Sequence, residues 1–500
     1  MNITLPNPNT ASARTRQRYF PLRAASPGAR AFDGLLLAVA LLVPTAARAL
    51  PSFARQMDMQ CIACHTEFPI LDEFGRQFKL SGYTSSASQA PQPAAAGQTP
   101  MPSSAGSMQL PPIAVMIQPS FTRTEAPQAG GAAPGFGNND NWAVSQLSLF
   151  YAGRLFGPYA DDLFGKDAAA ILDKFGIFSQ TTYDGVAKAW SWDNTELRFA
   201  NTGTVGDNDL IYGVYANNNP TLQDPWNTTP AWGYPFSSSK LAPTPAAATL
   251  IDGGLAQQVA GFGAYAMVAD MLYFDVGAYH TIGPSLQNSL GIDPAGEAQI
   301  PGLAPYWRFA FTEMLGEAHW EIGTFGLAAE TYPGRDPSAG KDRITDYGFD
   351  SQYQLSHGSG DFTAMLSWIY ERQNWAASYP LGNAGNPADT LWELKATVNY
   401  VYDKTYGATV QYFLINGSSD AALYSGSQTG APTSDGFILQ ASYLPFNKGG
   451  GPSFWPRSNV KLSLQYTVYN RFDGARMNYD GAGANARGNN TLYVEAWIAF

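Results

Sequence analysis

The sequence predicts an all-β membrane protein built on a 16-stranded antiparallel transmembrane β-barrel. From residue 113 onward, apolar and polar residues alternate in short segments, a period that indicates strands with one apolar and one polar face. The breaks between segments are alternately short and long, which is typical of outer-membrane barrels. Charged residues make up 14% of the chain and aromatic residues 13%, a composition that favours a membrane barrel over a soluble enzyme.

The alternation is clearest in residues 460–469, where every second residue is apolar and the residues between are mostly polar. Segments of this kind begin near residues 113, 142, 175, 193, 209, 257, 270, 304, 317, 343, 361, 391, 405, 436, 458 and 490. Their number is even, as a closed barrel with both ends on one side requires. The last segment ends in Phe500, and a terminal aromatic residue is typical of outer-membrane proteins. A soluble β-sandwich is the alternative.

The first 49 residues are predicted to be a signal peptide. They combine a basic region up to Arg30, an apolar core at residues 34–43 and a small-x-small cleavage signal at residues 47–49. The apolar core is too short for a transmembrane anchor. The whole chain carries a net charge of −11, and removal of this arginine-containing leader makes the mature protein more acidic. An acidic surface argues against nucleic acid as a partner.

The motif C-x-x-C-H at residues 61–65 is the strongest chemical signal in the chain. In c-type haem attachment, two cysteines at this spacing bond to the porphyrin and the adjacent histidine binds the iron. The chain has no other cysteines, so a zinc ribbon lacks its second ligand pair and a disulfide framework lacks thiols. A redox-active C-x-x-C pair is the remaining alternative. The motif therefore predicts one covalently bound haem c, attached to Cys61 and Cys64 with His65 as proximal iron ligand.

Residues 50–84 are expected to form a small α-helical segment around this haem. The apolar residues after the motif follow helical spacing, which predicts one helix from about Ile70 to Leu80 with Gly82 as its stop signal. A segment of about 35 residues is too small for an independent core, and a packed haem supplies the missing apolar surface.

Two stretches of the chain carry a resemblance to a known family. Around the motif these are Phe-Ala-Arg-Gln at 53–56, Phe-Pro at 68–69, Phe-Gly-Arg at 74–76, Phe78 and Gly-Tyr at 82–83. The second stretch is Asn-Asn-Asn-Pro at 217–220, continuing into QDPWNTTPAW at 223–232. Both resemble the fused outer-membrane monohaem cytochrome-porins, which include the c-type cytochromes of iron-oxidising bacteria. The resemblance implies a monohaem cytochrome c segment joined to a porin-like barrel, with iron oxidation as its activity.

Residues 85–112 are rich in Pro, Ser, Ala and Gln and predict a flexible linker before the barrel at 113–500. Met101 and Met108 lie in this linker. Either methionine is a candidate second axial ligand, because Met fills this position in many c-type cytochromes. Met57, Met59 and a histidine from the barrel are further candidates.

The polar faces of the predicted strands are expected to line the barrel lumen. They carry eight charged residues: Glu196, Arg198, Asp346, Asp350, Glu371, Glu393, Lys395 and Lys461. These residues are expected to solvate a water-filled channel, or in the case of the carboxylates to bind passing Fe(II) ions weakly. His280 is expected at the external end of its strand. His319 and His357 are expected at the periplasmic end, where they are either ordinary turn residues or within reach of a haem.

A single haem exchanges one electron at a time, so the sequence predicts electron transfer across the outer membrane of a Gram-negative bacterium. From the family resemblance, the protein is a candidate Fe(II) oxidase. Its partners are expected to be Fe(II) or another extracellular electron donor, a soluble periplasmic cytochrome or other carrier, and outer-membrane lipid. The alternatives are a diffusion porin plugged or gated by the cytochrome segment, and outward electron transfer to an external acceptor.

Overall fold

A closed antiparallel β-barrel accounts for most of the described structure. The computed structural model describes residues 52–57, 59–84, 111–292, 298–452 and 458–500. The predicted signal peptide, residues 85–110 of the predicted linker, and with them Met101 and Met108, lie outside the described residues. No helix within the described ranges is long and apolar enough to cross a membrane.

Sixteen strands form the barrel within the described residues, as the alternation predicts. They are β1 (Ile113–Thr124), β2 (Asn141–Arg154), β3 (Phe175–Asp184), β4 (Ala189–Val205), β5 (Asn208–Asn217), β6 (Val259–Val268), β7 (Leu272–Thr281), β8 (Ala304–Leu315), β9 (Ala318–Pro333), β10 (Asp342–His357), β11 (Gly360–Asn374), β12 (Ala388–Tyr402), β13 (Tyr406–Gly417), β14 (Ser434–Tyr443), β15 (Asn459–Arg471) and β16 (Thr491–Ala499). Each strand pairs with its neighbours in the chain, and β16 pairs with β1 to close the cylinder. A two-residue strand, Ala298–Gln299, adds to β9.

The burial pattern of the strands is the reverse of that in a soluble protein. Strand β15 shows this clearly. Its Leu462 and Leu464 are 43% and 52% exposed, whereas Lys461 on the same strand is only 3% exposed. Apolar side chains therefore face outward and polar side chains face the lumen, the arrangement of a barrel surrounded by lipid.

The two ends of the barrel differ in the length of their connections. Residues 206–207, 316–317 and 358–359 make tight turns at one end, which we call the short-turn end. Strand β1 begins and strand β16 ends at this same end. The other end carries long connections such as residues 218–258 and 472–490, and we call it the long-loop end. In outer-membrane barrels the short turns face the periplasm.

Residues 52–84, the N-terminal segment, lie inside the barrel. They contain helix α1 (Ser52–Met57), a 3₁₀ turn (Cys61–Ala63), a hairpin of His65–Glu67 with Ile70–Leu71, and helix α2 (Glu73–Leu80). The helix starts three residues later than the spacing predicts, because Ile70 and Leu71 pair with the motif strand. Asp72 instead caps the helix by accepting a hydrogen bond from the Gly75 amide at 2.8 Å.

Residues 218–258, the inner loop, connect β5 to β6 and also fold into the lumen. The sequence pattern predicts a long external loop here, and the loop does start from the long-loop end. It turns inward, however, so that Leu222, Trp226 and Ile251 are at most 2% exposed. The described lumen is thus filled from one end by the N-terminal segment and from the other by the inner loop.

Candidate haem site

The C-x-x-C-H motif borders a large cavity inside the barrel. The cavity has a volume of about 510 Å³, within the range of pockets that hold organic cofactors. Cys61, Cys64 and His65 all lie on its wall and are partly exposed to it. The three chemically active residues of the motif therefore border one common space in the lumen.

Aromatic side chains from three parts of the chain form much of the remaining wall. Phe53 of α1 stacks on Tyr83 with ring centroids 5.4 Å apart, and it meets the edge of Phe78 of α2 at 5.2 Å. Phe178 of β3 continues this surface to Trp232 of the inner loop, at 5.6 Å. These side chains pack on one another and present a joint apolar surface to the cavity, against which a flat apolar ring system would pack.

Close packing between α2 and the motif depends on Gly75. A Cβ atom at this position would clash with the carbonyl oxygen of Cys64. The absence of a side chain lets the helix lie directly against the motif, and Gly75 and Phe78 then border the cavity. On the barrel wall, Gly176 has the same function, since a Cβ there would clash with the carbonyl oxygen of Gly82.

The location of the motif favours uncharged side chains. Burial lowers the pKa of His65 to about 4, so that the imidazole is neutral at physiological pH, as metal ligation requires. Its Nδ1 atom is buried and accepts or donates no hydrogen bond among the described residues. Burial also raises the pKa values of the Cys61 and Cys64 thiols above their ordinary range.

Polar contacts between the N-terminal segment and the barrel wall hold the motif in place. Glu67 forms an ion pair of 2.8 Å with Lys461 of β15 and accepts a hydrogen bond of 2.8 Å from Asn399 of β12. Arg76 of α2 donates hydrogen bonds to the side chains of Gln352 and Gln354 on β10. These side chains are buried, so the contacts are shielded from water.

A second set of contacts fixes the end of α2. Arg198 of β4 forms an ion pair of 2.7 Å with Glu196 and donates a hydrogen bond of 2.8 Å to the carbonyl oxygen of Lys79. The Tyr83 hydroxyl donates to Glu196 at 2.9 Å. Lys79 itself donates to the carbonyl oxygen of Asp224 at 2.6 Å, so α2 also contacts the inner loop.

The inner loop is anchored by buried charges of the barrel wall. Arg308 of β8 binds Asp350 of β10 through two hydrogen bonds of 2.8 Å, and it lies 3.1 Å from Asp224 of the loop. Further along the loop, the amides of Leu250 and Ile251 donate to strand carboxylates. The loop is therefore fixed at several points along its length.

The predicted lumen charges face inward, as expected from the strand pattern. Their contacts are with other parts of the chain, which the sequence does not suggest. Seven of the eight are buried, and Lys395 is partly exposed. The contacts they make hold the N-terminal segment and the inner loop rather than line an open channel. The described residues contain no cluster of three or more His, Cys, Asp and Glu side chains suited to a metal ion.

The histidines of the barrel do not border the cavity. His280 lies toward the long-loop end and contacts the carbonyl oxygen of Gly302. His319 contacts the Thr312 hydroxyl at 2.7 Å, and His357 contacts Glu317 at 2.9 Å.

Among the residues that the structure describes, three methionines border the cavity: Met57, Met59 and Met116. The first two are candidates from the sequence. Met116 of β1 is a barrel residue that local sequence patterns do not connect to the motif.

The residues present fit a covalently attached haem. The cavity is of suitable size, its wall is largely apolar with several aromatic side chains, the two thiols border it, and the adjacent imidazole is neutral. Cys61 and Cys64 would hold the porphyrin, and His65 would bind the iron.

Comparisons with known proteins return only distant structural likenesses. The sequence matches no protein-family model and no curated protein. Among solved structures, the chain is similar to the outer-membrane channel DcaP of Acinetobacter baumannii (TM-score 0.41, 10% identity, covering 78% of this chain and 96% of that one). It is also similar to OmpF of Salmonella typhi, solved with daunomycin (0.41, 12%, 78% and 97%), and to an anion-selective porin from Comamonas acidovorans (0.40, 11%, 77% and 98%). The assignment of a closed porin-like barrel rests on the strand pairing described above.

Proposed function

We propose that this protein is an outer-membrane barrel of the porin type that carries one haem c in its lumen and transfers electrons across the membrane. Its electron donor is proposed to be extracellular Fe(II), and its acceptor a soluble periplasmic carrier. The location in the outer membrane is supported by the apolar outer face of the closed barrel. The resemblance of two sequence stretches to the cytochrome-porins supports the choice of iron.

The observation that carries the proposal is the cavity of about 510 Å³ bordered by Cys61, Cys64 and His65 inside the barrel. When bound there, a haem supplies reversible one-electron chemistry at its iron. The protein then has three tasks: the thiols and His65 fix the group, the aromatic wall excludes water, and the ion pairs of the N-terminal segment keep it at one position within the membrane. A redox centre held in an insulating barrier provides a route for charge through it.

A diffusion channel is the second candidate, and the barrel fold by itself favours it. Barrels of sixteen strands commonly leave an aqueous channel. In this reading, the N-terminal segment and the inner loop act as a plug or gate, and no electron donor is dedicated to the protein. A third candidate is electron transfer outward to an external acceptor, which differs from the first in reduction potentials rather than in structure.

One preparation of the full-length protein separates these functions. We expect the purified protein, in detergent, to show the absorption of a c-type haem that stays with the polypeptide after denaturation, and to be reduced by Fe(II) in stopped-flow experiments. The variant C61A/C64A, purified in the same way, is the matched control and should be colourless with an unchanged barrel CD spectrum. A colourless wild-type protein that conducts ions in planar bilayers would establish the channel instead. A redox titration then decides the direction of electron flow.

A further inference from the structure

A second recess opens at the short-turn end of the barrel, on the other side of α2 from the haem cavity. Its volume is about 340 Å³. Three of the eleven methionines of the chain, Met267, Met271 and Met314, meet on its wall together with Leu80 and Trp226. Methionine side chains adapt to different apolar partners, and proteins use them at binding surfaces for this reason.

Helix α2 is the partition between this recess and the haem cavity. Gly75 and Phe78 face the cavity, whereas Arg76, Gln77 and Leu80 face the recess. The two spaces are therefore separated by about one helix diameter, ~10 Å. A molecule seated in the recess would be close to the cavity without entering it.

The rim of the recess is acidic. Asp270 and Glu313 border it directly, and the turn of Asp207 lies beside it because the Ala269 amide donates to the Asp209 carbonyl oxygen at 2.8 Å. The exposed acidic residues of this arc are Glu73, Asp207, Asp209, Asp270, Glu313 and Glu317. The lysines in the described connections of the short-turn end lie at residues 155–174, 403–405 and 444–458, outside the turns of this arc, and Lys79 of α2 is buried and donates to the inner loop. Two basic residues lie on the wall of the recess: Arg76 is buried against β10, and His319 contacts the Thr312 hydroxyl. His357, nearby, contacts Glu317.

We propose that this recess is the docking surface for a small soluble electron carrier whose exposed apolar patch is ringed by lysines. The apolar recess accommodates the patch and the acidic arc attracts the surrounding lysines, which steers the encounter and gives a binding strength that depends on salt. This inference rests on the proposed function, because electron transfer gives such a carrier a reason to approach the haem cavity. It adds the position of the carrier and the sign of its charge.

Binding of a lysine-rich probe tests the proposal. The probe is mitochondrial cytochrome c, and an acidic plant-type ferredoxin is the comparison probe; both are titrated into the full-length protein in detergent by calorimetry. We expect the cytochrome to bind with an affinity that falls as ionic strength rises. The variant D207N/D270N/E313Q should bind it at least tenfold more weakly. The control variant E125Q/D140N/D480N removes three exposed acids of the long-loop end and should bind like the wild type.

Several outcomes would overturn the proposal. These are equal binding of the cytochrome by both triple variants and the wild type, tighter binding of the ferredoxin, or a dimer of the protein that the short-turn substitutions abolish. Repeating the titration with C61A/C64A separates this inference from the proposed function. If the wild-type protein lacks haem but still binds the cytochrome, the docking surface is supported and the electron-transfer function is refuted. If the protein carries haem but does not bind the cytochrome in a charge-dependent way, the docking surface is refuted and the electron-transfer function is not.

Discussion

The carboxylate of Glu67 lies 2.8 Å from the ammonium group of Lys461, and their side chains are only 1% and 4% exposed. The pair joins the residue two positions after the motif histidine to strand β15 at the far end of the sequence. Because both charges are removed from water, each depends on the other for compensation. This pair therefore links the position of the motif to the barrel wall.

Replacing Lys461 should release the N-terminal segment. In K461M the Glu67 carboxylate is left buried and unpaired, which costs about 3–5 kcal/mol in comparable buried pairs. We expect limited proteolysis to cleave the N-terminal segment of K461M several-fold faster than in the wild type, while the barrel keeps its CD spectrum. R343M is the control, because Arg343 belongs to an exposed pair with Glu330 at 3.0 Å. Equal cleavage rates in K461M and R343M would contradict this prediction.

Replacing Arg308 should loosen the inner loop. R308M leaves the carboxylates of Asp224, Asp350 and Glu321 buried without their shared cation. We expect low conductance of the wild-type protein in planar bilayers and at least several-fold higher conductance of R308M. R372M, at an exposed position of β11, serves as control and should behave as the wild type. If R308M conducts no better than R372M, the loop is not held in the way described here.

A side chain at position 75 should disturb the cavity. In G75A the added Cβ meets the carbonyl oxygen of Cys64, so α2 must move away from the motif. We expect several-fold less covalently bound haem per polypeptide, measured by pyridine haemochrome absorbance. The control is G302A, at an exposed glycine where a Cβ meets nothing within 4 Å. Full haem loading of G75A would show that the contact is not required.

A methionine scan should identify the second axial ligand. We expect one of M57L, M59L, M101L, M108L and M116L to lower the midpoint potential of the haem, because a thioether ligand raises it. The other substitutions conserve volume and should have little effect. Potentiometric titration of the five variants makes the measurement. Five unchanged potentials would exclude these five methionines as the ligand.

Docking of the N-terminal segment should strengthen as the pH rises above neutrality. Burial lowers the pKa of Lys79 to about 7, although Asp224 and Glu196 partly oppose this shift. A released lysine has its ordinary pKa of about 10.4. Between these values the released segment binds a proton that the docked segment does not, so a higher pH favours docking. We expect proteolytic protection of the segment to be greater at pH 9 than at pH 7 in the wild type. K79M should lose this difference; a wild type that is less protected at pH 9 would refute the assignment.

The barrel was predictable because its signal is local. A strand between lipid and a polar lumen imposes a period of two on ten or so consecutive residues, and such a period can be recognised without any tertiary information. Strand β15 shows it in Leu462, Ser463 and Leu464. Strand β4 starts at Ala189 rather than near 193, because its outer end extends beyond the clear alternation.

The filling of the lumen was not predictable in the same way. The inner loop has no periodic pattern, and its inward path is fixed by contacts such as those of Arg308 with Asp224, between residues far apart in sequence. A charged residue on the lumen face looks the same in sequence whether it meets water or a buried partner. The later start of α2 had a local signal in Asp72, a favourable capping residue followed by Glu73.

Lys79 and Asp224 touch inside the barrel, although one belongs to a piece tethered at the short-turn rim and the other to a piece tethered at the long-loop rim. A pull on the inner loop from outside therefore reaches the helix beside the motif, and displacement of that helix reaches the loop. Lys79 also donates to the side-chain oxygen of Asn227 at 2.9 Å, so the helix and the loop are joined at more than one point, independently of whether any solute passes through the barrel.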